Sequence, residues 1–103
     1  MLEQLPAGGG LVRISGELDL ATVSQLERIV DGTSLNAPLV IDLSECSFLD
    51  SSAVRMLLET GTRAEQAGGH LSLVAPDQAI RRILEIAGVD TVLPVHATLA
   101  EAT

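Results

Sequence analysis

A chain of 103 residues is the size of one domain, with room for one hydrophobic core and not for two. Hydrophobic residues make up 47% of it and charged residues 19%, which excludes the disordered class. The formal net charge of −8, with arginine as the only strongly basic residue, repels phosphate backbones and argues against direct contact with nucleic acid.

Residues 1–6, Met-Leu-Glu-Gln-Leu-Pro, have no basic region followed by an apolar one, so no signal peptide is expected. Leu2 to Leu5 is a candidate first strand, whose brevity and following Pro6 suit an edge position. The Ala-Gly-Gly-Gly run at 7–10 can turn it back against the next segment. Leu11 to Ser15 alternates as a strand, with Val12 and Ile14 on one face and Arg13 and Ser15 on the other. After Gly16, the residues Val23, Leu26, Ile29 and Val30 recur at helical spacing, and Gly32 is placed as a left-handed stop. Thr22 and Gln25 have the spacing of a capping box, with Asp19 as a competing cap.

Leu39 to Leu43 hardly alternates, as expected for a central strand covered on both faces. A second helix follows, with Val54, Leu57, Leu58, Gly61, Ala64 and Gly68 on one stripe and Gly68-Gly69 as its end. Leu71 to Ala75 is another strand, closed by Pro76. Ile80, Ile83, Leu84 and Ala87 mark a third helix, with Gly88 as its stop and Val89 as the apolar residue just beyond. Thr91 to Val95 is predicted as the last strand, an edge because of Pro94, and Thr98 to Ala102 as a final helical turn or two. Strand and helix alternating at this spacing imply right-handed crossovers. The expectation is a single α/β domain over residues 1–103, with a four- to five-stranded, mainly parallel (mixed) sheet and three to four helices. Strand order stays open.

In such a sheet the loops leaving the carboxyl ends of the strands gather at one rim, where functional sites are usual. Two loops carry polar residues there: Gly16-Glu17-Leu18-Asp19, and Asp42 through Ser52. If their strands are parallel neighbours, Asp19 and Ser51 share the rim. The stretch Phe-Leu-Asp-Ser-Ser-Ala-Val, residues 48–54, stands where a strand gives way to a helix. Asp50, Ser51 and Ser52 are all good N-caps, and only one can serve. One reading is a capping cluster with a redundant hydroxyl. The other is that a serine here is phosphorylated. A phosphoserine adds a charge of about −1.5 to −2 and three acceptor oxygens. A helix N-terminus meets those oxygens with free N–H groups and the positive end of its dipole. The fold would stay and a partner would respond.

Ile-Ser-Gly-Glu-Leu-Asp-Leu-Ala-Thr at 14–22, Leu-Val-Ile-Asp-Leu-Ser at 39–44 and Phe-Leu-Asp-Ser-Ser-Ala-Val at 48–54 together resemble a STAS domain (sulfate transporter and anti-sigma factor antagonist), in particular a bacterial anti-sigma factor antagonist. Gly68-Gly69 and Ile86-Ala87-Gly88-Val89 extend the resemblance over nearly the whole chain. It implies a partner-switching cycle in the cytoplasm. The unphosphorylated antagonist binds an anti-sigma factor that is also a serine kinase and so frees the sigma factor. The kinase then phosphorylates the first serine after the motif's aspartate, and a metal-dependent PPM-type serine phosphatase reverses this. That serine corresponds to Ser51, with Ser52 the second choice, and the family's nearby acidic residue corresponds to Asp19. Ala53 departs from the glycine often found there and stiffens the first helical turn.

Arg55 is the nearest arginine to Ser51 and follows it, so a kinase reading a linear basic motif finds little. Docking of the folded rim is expected instead, through Asp19, Leu20, Leu49, Asp50, Ser51, Ser52 and Met56. Met56 falls off the helix stripe, and an exposed methionine suits an adaptable interface, with partial burial at the stripe edge as the alternative. Within the same family class, a subunit of a lipid-transport ABC complex or of a stress-signalling scaffold is the alternative function. A small serine hydrolase is a remote one, with His96 as its only candidate base, since His70 is expected at the opposite end of the sheet.

No cofactor is expected, and one cysteine with two separated histidines gives no metal-ligand spacing. Cys46 alone cannot form an internal disulfide, which fits a reducing compartment. Phe48 as the one aromatic residue argues against single-stranded nucleic acid binding. No apolar run approaches membrane length. Arg81-Arg82 reads as a solvated helix face.

Overall fold

The alternation read at residues 11–15 lies within the strand on which the sheet is built. The computed structural model describes residues 2–7 and 9–102. In chain order they form β1 (Leu2–Ala7), β2 (Gly9–Leu18), α1 (Val23–Asp31), β3 (Leu39–Leu49), α2 (Ser51–Gln66), β4 (Leu71–Val74), α3 (Gln78–Ile86), β5 (Val95–His96) and α4 (Leu99–Ala102). The strands stand side by side in sequence order, β1 antiparallel to β2 and the others parallel. This is the mixed, mainly parallel sheet expected of the α/β class. β1 is an edge, as predicted. The turn expected at 7–10 falls in part on Gly8, which lies outside the described residues; Ala7 pairs with Gly9.

Each parallel crossover steps one strand in the same direction, so α1, α2 and α3 fall on one face. There Val12, Ile14, Ile41, Leu43 and Leu73 meet Leu26, Val30, Leu57, Ile80 and Leu84 in one core. On the opposite face Leu11, Val40 and Val74 form a small patch under Leu99 and Ala102 of α4. β3 is thus covered on both sides near its start, which is why its first residues do not alternate. Arg13 and Ser15 also face this second side. The Arg13 Nε donates to Asp42 at 3.3 Å, and the Ser15 hydroxyl donates to Glu45 at 2.8 Å.

Several expectations are corrected. Gly32 is not left-handed, having φ −87°; Thr33 closes α1 instead, its hydroxyl donating to the Ile29 carbonyl at 2.6 Å and its N–H to Val30. The Thr22–Gln25 capping box does not form, because Thr22 makes no side-chain cap bond. The competing Asp19 takes the N–H groups of Ala21 and Thr22 at 3.0 and 3.1 Å. The buried row of α2 is rotated by one position, to Ala53, Met56, Leu57, Thr60, Gly61 and Ala64, leaving Val54 and Leu58 half-buried. Gly61 sets this approach, since a Cβ there would lie 2.5 Å from Leu93.

The last strand begins later than Thr91. Gly88, with φ +77°, does stop α3, but Val89–Thr91 then forms a single 3-10 turn. Its bonds carry the N–H groups of Val92 and Leu93 to the Val89 carbonyl, so Val89 and Leu93 both reach the core. β5 is left with Val95 and His96, still the edge that Pro94 marks. α2 ends as expected: Gly68, with φ +91°, and Gly69 return their N–H groups to Glu65 and Ala64. Among the described residues, no helix is long and apolar enough to cross a membrane.

Candidate partner-binding rim

β2 and β3 run on past the carboxyl end of β4 and remain paired up to Leu18 and Leu49. The loop expected from Asp42 is therefore strand as far as Leu49. Register shifts after Arg13 and Gly16 bend this ribbon, and Gly16 with φ +85° permits the bend. The bulges also replace alternation by a repeat of three, burying Cys46 and Leu49 and leaving Ser44, Glu45, Ser47 and Phe48 outside.

Asp50 organises the rim. Its N–H donates to the Leu18 carbonyl at 3.3 Å, which starts α2 beside the end of β2. One carboxylate oxygen accepts from the Ala53 N–H at 3.0 Å, capping α2, and the other accepts from the Leu20 N–H at 3.0 Å. A single side chain therefore joins the β2–α1 loop to the helix. Asp19 is on the same rim but turned into its own loop, where one oxygen accepts from Ala21, Thr22 and the Thr22 hydroxyl within 3.1 Å.

With Asp50 as the cap, both serine hydroxyls are spare. Ser51 is exposed at the first position of α2 and Ser52 is half-buried. Among the described residues neither hydroxyl has a hydrogen-bond partner. Their backbone N–H groups stand at the head of the helix, where no intrahelical acceptor exists. An added anion at Ser51 therefore meets solvent, unsatisfied donors and the positive dipole end rather than packed side chains.

Leu20 is 75% exposed and Phe48 46% exposed at this end of the sheet. Leu49 and Met56, expected at the contact surface, are corrected: they are only 3% and 5% exposed and belong to the core. Leu49 is drawn in by the bulge, and Met56 by the rotated face of α2. Met56 still reaches the floor of a groove of about 170 Å³ between α1 and α2, beside Leu20, Val23, Ser52 and Arg55. Glu27 and Glu59 on its walls, and the half-exposed Phe48, were not foreseen. The signal for Phe48 was available, as the one aromatic side chain stands two residues before the helix cap.

His70 precedes β4 and so lies at the far end of the sheet from Ser51. His96 pairs with Val74, which pairs with Asp42. β3 continues from Asp42 to Leu49, roughly 20 Å at strand rise, so neither histidine stands beside Ser51 as a base. Cys46 is buried; its thiol donates to the Phe48 carbonyl at 3.3 Å, and burial pushes its pKa up. Arg82 is exposed as expected, whereas Arg81 is half-buried, its Nε donating to the Ala75 carbonyl at 3.2 Å. Among the described residues no group of three or more His, Cys, Asp or Glu is arranged for a metal ion.

The family model for the STAS domain matches residues 4–102. The anti-sigma-F factor antagonist RsfA of Mycobacterium tuberculosis is 31% identical over 96 residues, which is 89% of this chain and 75% of that protein. Among solved structures, an anti-sigma factor antagonist from Mycobacterium paratuberculosis superposes with a TM-score of 0.82 at 28% identity, covering 99% of this chain and 89% of that one. The phosphorylated form of the Bacillus cell fate determinant SpoIIAA superposes with a TM-score of 0.71 at 25% identity, covering 99% and 94%. The family match over residues 4–102 and the similarity to RsfA lead to one conclusion: this chain belongs to the STAS domain family.

Proposed function

We propose that this domain is an anti-sigma factor antagonist acting in the cytoplasm and controlled by phosphorylation of Ser51. The unphosphorylated rim binds an anti-sigma factor with serine kinase activity, and the sigma factor is released. Transfer of a phosphoryl group to the Ser51 hydroxyl places a dianion at the contact and ends the association, and a PPM-type serine phosphatase restores it. The observation that carries this reading is the division of labour at the head of α2. Asp50 takes the cap, so the exposed Ser51 hydroxyl has no structural task.

The relatives support it: RsfA is named as an antagonist of an anti-sigma factor, and SpoIIAA has been solved phosphorylated. Exposed Leu20 and Phe48 supply apolar contact, while Asp19 and Asp50 hold the loop and helix that present Ser51. In this role Ser51 is a phosphate acceptor and not a catalytic nucleophile. Incubation with the cognate kinase and ATP, followed by peptide mass spectrometry, tests the assignment. Phosphate on Ser51 is expected; phosphate confined to Ser52 or elsewhere overturns it.

A further inference from the structure

Arg55 is the first cation of α2 and stands four residues after Ser51. Positions four apart are neighbours on a helix surface, and helical side chains lean toward the N-terminus. Arg55 therefore projects back toward the turn that holds Ser51. It is exposed, and among the described residues it makes no ion pair or hydrogen bond. Glu27 and Glu59 line the same groove without engaging it. Asp19 and Asp50, the charged groups of the adjoining loop and cap, are taken up by backbone N–H groups. An unpaired guanidinium thus stands one helical turn from the hydroxyl that has no structural task.

We propose that Arg55 is the built-in counter-ion of the modified state: a phosphate on Ser51 draws its guanidinium up to the rim and is latched there. This rests on the phosphorylation reading above and says where the added charge is held. An anion that precedes its cation by four residues is the favoured order on a helix, because each then complements its end of the dipole. The guanidinium fork meets phosphate oxygens through two parallel N–H···O bonds. A monocation against a dianion leaves net negative charge at the contact, so association is still opposed. The arginine meanwhile leaves the groove wall beside Met56 for the end nearer Leu20. Phosphorylation thereby changes the groove's lining with no movement of the backbone.

The domain made with phosphoserine incorporated at position 51 during translation, without a kinase, tests the latch. Its Arg55 Nε–H cross-peak should move as the phosphate passes from monoanion to dianion, and should stay fixed over the same pH range in the unmodified domain. The ³¹P midpoint of that ionisation should lie about 0.3–0.7 pH units higher in Arg55→Gln than in the phosphorylated parent, as the loss of an exposed ion pair requires. Arg55→Lys, which keeps the charge, should restore at least part of the difference. All these forms share one helix start, so the dipole's own effect on the phosphate cancels. An unchanged ³¹P midpoint in Arg55→Gln, or an Arg55 resonance blind to the phosphate, overturns the proposal. Such a failure leaves the kinase's choice of Ser51 untouched, and phosphate found by mass spectrometry at another residue leaves this result standing.

Discussion

Replacing Asp50 probes the junction on which the rim depends, because its two oxygens do separable work. In Asp50→Ala both acceptors vanish. The lost N-cap costs about 1 kcal/mol, and the lost bond from the Leu20 N–H costs about another 1 kcal/mol, more because the acceptor is charged. The sum, about 2–3 kcal/mol, is below the roughly 5–15 kcal/mol of a typical domain, so the variant still folds. Asp50→Asn keeps one carbonyl oxygen for the Ala53 N–H, but its amide nitrogen cannot accept from Leu20. It should lose only about 1 kcal/mol. Urea unfolding followed by far-UV circular dichroism measures both, with unchanged m-values as the sign that only stability has moved. Amide exchange gives the finer result: the Leu20 and Ala53 N–H groups both exchange faster in the alanine variant, and only Leu20 does so in the asparagine variant. Equal losses in the two variants, or none in either, would refute the two-sided role of Asp50.

Three further outcomes follow from the same geometry. Ser51→Asp should leave stability within about 1 kcal/mol of the parent, the charge being favourable at a helix start, while affinity for the anti-sigma factor falls; Ser51→Ala should keep binding and lose phosphate uptake, both read by calorimetry and mass spectrometry. Gly61→Ala drives a methyl group against Leu93 and should cost about 1–3 kcal/mol, with Leu93→Ala in the same chain recovering part of the loss in a double-mutant cycle. Glu101 accepts hydrogen bonds from the Ala97 and Thr98 N–H groups at 3.0 Å, and these hold its carboxyl below the usual range. Its folded pKa being the lower one, its contribution is present above the unfolded value and is lost as pH falls through the folded value. Amide protection factors at Leu99 and Ala102, corrected for the slower intrinsic exchange in acid, should therefore fall as pH drops, and Glu101→Gln should flatten that dependence.

Local chemistry was legible in the sequence wherever one residue decides one bond. The alternation of Val12 and Ile14 against Arg13 and Ser15 placed a strand with two unlike faces. The helix stops at Gly68 and Gly88 could be read from glycine itself and prove left-handed, whereas Gly32, expected to be left-handed, is not. Asp50, Ser51 and Ser52 marked a helix start with two acceptors too many, and the structure assigns the cap to Asp50. What stayed hidden depends on contacts between distant residues. Met56 was expected outside because Val54 and Leu58 outweighed it in the helical pattern, yet Gly61 resting on Leu93 turns α2 the other way. Leu49 was expected outside because the bulges that shift β3 leave no mark in its composition. Leu93 was expected in the last strand, yet the turn after Gly88 sets it one helical step from Val89. Arg81 read as a solvated cation because the carbonyl that holds it belongs to Ala75, just after β4.

The central claim is that residue 51 accepts a dianion without disturbing the fold, so that only association changes. Amide chemical shifts of the domain carrying phosphoserine at 51, recorded beside the unmodified form, test this most directly when paired with a titration against the anti-sigma factor. The account predicts shifts confined to residues 18–22 and 48–56, an unchanged core and a sharp loss of binding. Shifts spread through β3, β4 and α3, or binding that survives the phosphate, would contradict it.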